Sequence, residues 1–138
     1  MRMIWIGAAA LAGTAVLATA AAAQPGQGRR PVRIGLAGND LDACLSVAEV
    51  RGLDRNGDNT LSVRARPSRV APAMDRLGPG RQVWVCDGDA VPGWTGIVYA
   101  ERPDQECNVA APVATIRPYS GPCRQGWVAA RYLAVIAG

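Results

Sequence analysis

The sequence predicts a small all-β domain that leaves the cytoplasm. Three observations carry this reading: a charge-free apolar run at the N-terminus, short alternating segments punctuated by glycine and proline, and four cysteines in a chain without histidine. No stretch after the apolar run keeps a 3.6-residue apolar stripe over three turns, so strands packed as a barrel or sandwich are expected.

The N-terminus comes first. Arg2 gives a positive start, Ile4 to Ala18 is almost wholly apolar, and Thr19-Ala20-Ala21-Ala22-Ala23 is a run of small residues. A membrane span needs about 20 apolar residues, and this run is shorter and ends in a signal-peptidase pattern. Residues 1–23 therefore read as a cleaved signal peptide with Ala21-x-Ala23 as the cleavage box, and no membrane span is expected after cleavage. The first cysteine is Cys44, which argues against a lipid anchor. About 115 residues remain after cleavage, enough for one core. Arginine supplies every basic residue, and the net charge is +4. With abundant Ala, Gly and Pro, this suggests a GC-rich bacterial genome and a periplasmic or secreted address. The arginines are scattered, and nothing in their pattern asks for nucleic acid.

Residues 24–40 are rich in Gly, Pro and Arg and read as a flexible leader before a domain at 41–138. Leu41 to Val50 alternates and predicts a strand. Asp54-Arg55-Asn56-Gly57-Asp58 is turn chemistry. Its carboxylates match the first and fifth positions of a calcium loop, but Asn59 replaces the sixth-position glycine and Ala65 stands where a closing carboxylate is needed. Leu61 to Arg66 alternates strictly and ends at Pro67. Gly78-Pro79-Gly80 is a turn, and Gln82 to Cys86 is a strand with Val83 and Val85 on one face and Trp84 and Cys86 on the other. Asp87-Gly88-Asp89 reads as a solvated loop. Trp94 to Tyr99 is a strand, Glu101 to Gln125 a long loop, and Gly126-Trp127-Val128 and Leu133 to Ile136 the last two strands.

An even cysteine count in a small exported chain reads as two disulfides. Zinc sites use close pairs such as C-x-x-C, whereas every spacing here exceeds about 15 residues, so no metal or other cofactor is expected. Three connectivities exist for Cys44, Cys86, Cys107 and Cys123. Either Cys44–Cys86 with Cys107–Cys123, or Cys86–Cys107 with Cys44–Cys123, suits the order of the segments. Catalysis has little to work with, because histidine and lysine are absent and the cysteines are expected to be bridged.

In order, four pieces resemble the bacterial SH3 (SH3b) family. They are Leu61-Ser62-Val63-Arg64 with Pro67-Ser68, Leu77-Gly78 with Gly80 and the valines of 83–85, Gly93-Trp94, and Gly126-Trp127-Val128 with Tyr132-Leu133. Gly121-Pro122-Cys123 is similar to an element of an exported four-cysteine subgroup. The resemblance implies an SH3-like barrel over about Leu45 to Ile136; the long segment between Tyr99 and Gly126 departs from the tight distal turn of a plain SH3 barrel, and a Cys107–Cys123 bridge would staple it. Ala129 stands where such domains place a groove proline, so Trp94 and Tyr132 are what remain of the groove wall. The implied function is a non-catalytic exported binding module for a cell-wall (peptidoglycan) peptide or an envelope protein. An assembly subunit or an inhibitor within an envelope complex is the alternative. Trp94, Tyr132, Trp84 and Tyr119 are the candidate ligand-binding residues, with Trp84 expected to point outward.

Overall fold

A computed structural model describes residues 13–19, 28–88 and 91–138. The cleavage box at Ala21-x-Ala23, most of the remaining expected signal, residues 24–27 of the expected leader and Asp89 lie outside the described residues. No helix among the described residues is long and apolar enough to cross a membrane.

The described chain is all-β. In order it forms β1 (Arg33–Ile34), β2 (Ser46–Val50), β3 (Leu61–Arg64), β4 (Ala73–Leu77), β5 (Gln82–Asp87), β6 (Trp94–Tyr99), β7 (Arg117–Pro118) and β8 (Arg124–Ala129). A single 3₁₀ turn, Ala130–Tyr132, then leads into β9 (Leu133–Ala137). Seven strands make one antiparallel sheet in the order β4-β3-β8-β6-β5-β2-β9, and β1 pairs with β7 apart from it. The large sheet is open, since its end strands β4 and β9 do not pair with each other.

Alternation along the strands divides the apolar residues between two cores. On one face Ala48, Val50, Leu61, Val63, Leu77, Val83, Ile97, Tyr99 and Val128 pack together. On the other, Trp84, Cys86, Trp94, Val98 and Trp127 of the same strands meet Val32, Ile34, Val109 and Tyr119 from outside the sheet. The period of two along β5, β6 and β8 sends neighbouring side chains into different cores. β6 is accordingly buried at every position after Trp94.

The second core corrects the reading of 24–40 as a flexible leader. Val32 is wholly buried, Ile34 nearly so, and the backbone N–H of Tyr119 donates to Val32 O at 2.8 Å. Val32 N–H in turn donates to Gln125 Oε1 at 2.9 Å. Two apolar residues among arginines and prolines suffice to dock a strand when a waiting apolar face supplies the burial. The domain thus starts ahead of residue 41.

Asp87 is a second correction. It is fully buried, and Arg33 clasps it through Nε to Oδ2 at 2.9 Å and Nη2 to Oδ1 at 3.1 Å. The Arg33 backbone N–H also donates to Oδ2 at 3.2 Å. This paired, forked geometry compensates a carboxylate removed from water. Gly96 makes room for it, because a Cβ there would stand 2.8 Å from the Asp87 Cβ and 3.0 Å from Val32. Replacing Arg33 with Met strands that carboxylate. The Arg33 side chain is 40% exposed, so solvent already screens part of the pair, and the expected loss is about 2 kcal/mol. A lower urea midpoint for Arg33→Met, largely restored by adding Asp87→Leu, is the expected result.

Cys44 is bridged to Cys86 and Cys107 to Cys123, with sequence separations of 42 and 16. The second bridge staples the long segment between β6 and β8; this connectivity is the first of the two pairings left open by the order of the segments, and all four sulfurs sit in the second core. Two disulfides point to an oxidising, extracytoplasmic environment.

Candidate binding clefts

The four aromatic candidates do not come together. Trp94 and Tyr132 share one cleft, Trp84 lines another, and Tyr119 lines neither.

Trp94 opens β6 directly after Gly93, whose φ of 80° makes the tight entry that glycine allows. The Gly93 carbonyl accepts from Ala130 N–H at 2.9 Å, which ties the start of β6 to the 3₁₀ turn carrying Tyr132. Register does the rest, with Trp94 opposite Ala129. The two half-buried rings line a cleft of about 360 Å³. Its rim carries charges of both signs: Asp54 and Asp58 from the β2–β3 connection, and Arg64, Arg69 and Arg131. Arg131 lies over the Tyr132 ring at 4.7 Å, Asp58 pairs with Arg76 at 3.2 Å, and Arg64 donates to the Ala71 carbonyl at 2.9 Å. The Asp54 carboxylate accepts from the Asn56 N–H at 2.9 Å, an Asx turn. This cleft offers flat apolar surfaces framed by ionic groups, which suits binding.

Trp84 follows the expected alternation and leaves the inner core, but it is half-buried beneath the stapled loop. It lines a cleft of about 410 Å³ with Arg81, Gln82, Arg102, Pro103 and Gln105. Nothing in the sequence announces this cleft, because half of it comes from a loop without periodicity.

Tyr119 is a correction. It is 4% exposed, its hydroxyl donates to the Cys107 carbonyl at 2.8 Å, and it accepts from the Cys123 N–H at 3.1 Å. Both hydrogen-bonding directions are used inside the loop, so the residue orders the stapled segment. Tyr99 is also interior, with its hydroxyl donating to Asp75 Oδ2 at 2.9 Å.

Burial raises the pKa of both phenols, and at Tyr99 the bond to Asp75 and its charge raise it further. The unfolded chain ionises tyrosine near pH 10, whereas the folded protein holds these protons to higher pH. Stability contributed by the neutral phenols is therefore complete below about pH 10 and lost as pH climbs beyond it. Urea midpoints are expected to stay flat from about pH 8 to 9.5 and fall by pH 11, with a shallower fall in Tyr99→Phe. None of the cysteines is free to start disulfide exchange in that range.

All four cysteines are oxidised, and no cluster of three or more metal-binding side chains exists among the described residues. No family model, no curated protein and no solved structure matches the chain.

Proposed function

We propose that the protein is a non-catalytic binding module, exported to the periplasm or beyond by its N-terminal signal. In this reading, an SH3-like barrel presents the Trp94–Tyr132 cleft to an extended peptide, with cell-wall peptide as the ligand. The observation that carries the proposal is the meeting of these two aromatic residues in one cleft.

The order of pairing, in a sheet that stays open, supports the SH3-like reading. β2 lies between β5 and β9, β5, β6 and β8 run as a meander, and a single 3₁₀ turn separates β8 from β9. In this reading the β3–β4 hairpin corresponds to the long loop beside an SH3 groove, and its Arg69 lines the cleft. Two rings lining one cleft suit a peptide without regular structure, and the mixed-sign rim suits one bearing both amino and carboxylate groups. The step from fold to wall peptide rests on analogy.

Co-sedimentation of the oxidised protein with purified peptidoglycan sacculi tests this. The protein is expected to pellet, and folded Trp94→Ala and Tyr132→Ala variants are expected to stay in the supernatant. If the parent protein stays in solution, wall binding is overturned and an envelope protein becomes the partner. The second reading, an assembly subunit, draws on β9 at the sheet edge, where Val135 is 62% and Ile136 44% exposed. An uncharged apolar edge strand invites pairing with another chain.

A further inference from the structure

We infer a second ligand site, distinct from the Trp94–Tyr132 cleft, in which Trp84 and two arginines bind an acidic saccharide. The two clefts share no lining residue.

The far wall of the Trp84 cleft is fixed before any ligand arrives. Gln105 is bound three ways: its Oε1 accepts from Glu101 N–H at 2.8 Å, its Nε2 donates to the Pro122 carbonyl at 3.2 Å, and its backbone N–H donates to the Arg102 carbonyl at 3.2 Å. Cys107, at one end of the lining, is held by its disulfide. Arg81 reaches across to donate to the Ala100 carbonyl and lies over the Tyr99 ring at 5.8 Å. A wall ordered by its own bonds removes much of the entropy cost of binding.

The charge of the cleft is one-sided. Its single carboxylate, Glu101, is engaged by Arg124, which does not line the cleft. Arg81 spends one hydrogen bond on a neutral carbonyl and keeps its charge, and Arg102 is exposed with no ion pair among the described residues. Two arginines therefore line the same cleft as the half-buried Trp84. A ligand satisfying both features has a carboxylate for the arginines and an apolar face for the indole. Gln82 narrows the class, because its exposed side-chain amide can donate and accept at once, which a ring bearing several hydroxyls uses. A uronic-acid-type pyranose has the carboxylate, the C–H face and the hydroxyls together.

Titrating the oxidised protein with a galacturonic acid trimer, followed by the tryptophan indole N–H signals in NMR, tests the assignment. The Trp84 indole is expected to shift while that of Trp94 stays in place. Binding is expected to weaken at least tenfold at about 0.5 M salt, and about tenfold in both Trp84→Ala and Arg102→Gln. Arg102 is exposed, so its variant tests charge without risk to folding. Trp94→Ala is expected to bind like the parent, which separates failure here from failure of the peptide cleft. Equal binding of a neutral maltotriose overturns the acidic class, equal binding of citrate overturns the stacking role of Trp84, and an unmoved Trp84 signal overturns the site.

Discussion

Removing both disulfides is expected to abolish the cooperative unfolding transition at about 37 °C. The closed loops differ, with separations of 42 residues for Cys44–Cys86 and 16 for Cys107–Cys123. On the chain-entropy account, the first bridge contributes about 4 kcal/mol and the second about 3 kcal/mol. Their sum is comparable to the whole stability of a small domain, about 5–15 kcal/mol. Urea titrations of Cys44→Ala with Cys86→Ala, and of Cys107→Ala with Cys123→Ala, give the two terms separately. A larger loss from the shorter bridge shows that packing within the stapled segment outweighs loop closure. The entropic account is then wrong for this protein.

Trp127→Ala is expected to cost about 4 kcal/mol and to lower Tm by roughly 15–25 °C. The side chain is wholly buried, and its Nε1–H donates to the Arg30 carbonyl at 2.9 Å. The Arg30 guanidinium lies over the ring at 5.4 Å. Truncation removes the largest fully buried side chain in the second core and the anchor for the chain that leads into β1. Trp127→Phe keeps most of the volume but orphans the carbonyl, and is expected to lose about 1–2 kcal/mol. Thermal melts followed by far-UV circular dichroism rank the two. A loss for Trp127→Ala below about 1 kcal/mol is what a surface position gives, and it overturns the two-core description.

Strands whose own residues alternate were legible in the sequence. β3 and β5 lie where the period of two placed them, β6 has the expected bounds of Trp94 to Tyr99, and β8 and β9 cover the last two expected strands, with β8 starting at Arg124 inside the expected loop. β1 and β7 were not legible, because two residues cannot display a period and their neighbours are arginine and proline. Their pairing depends on a surface built by residues up to 93 positions away, as Val32 and Gln125 show. β4 was hidden for another reason. Ala-Met-Asp-Arg-Leu mixes polar and apolar residues at the sheet edge, where only Leu77 must be buried. Asp87 read as a loop carboxylate because nothing local to Asp87-Gly88-Asp89 announces that Arg33 folds over it. At the candidate site, Trp94 and Tyr132 carried a sequence signal, whereas Tyr119 did not reveal that both directions of its hydroxyl are spent on the backbone.

The bridges join cysteines that are consecutive along the chain, Cys44 to Cys86 and Cys107 to Cys123. In a polypeptide that meets an oxidant while emerging from its N-terminus, each cysteine can react only with those already delivered. Cys86 finds Cys44 as its sole partner, and once that bridge closes Cys107 has none until Cys123 arrives. Vectorial oxidation thus leads to the native pairing without any thiol having to be reshuffled. β1 has the opposite history. It appears first, yet Tyr119 and Gln125, which hold it in place, appear among the last residues, so the second core closes only when nearly the whole chain is out. The order of covalent closure is local and early, and the order of packing is distant and late.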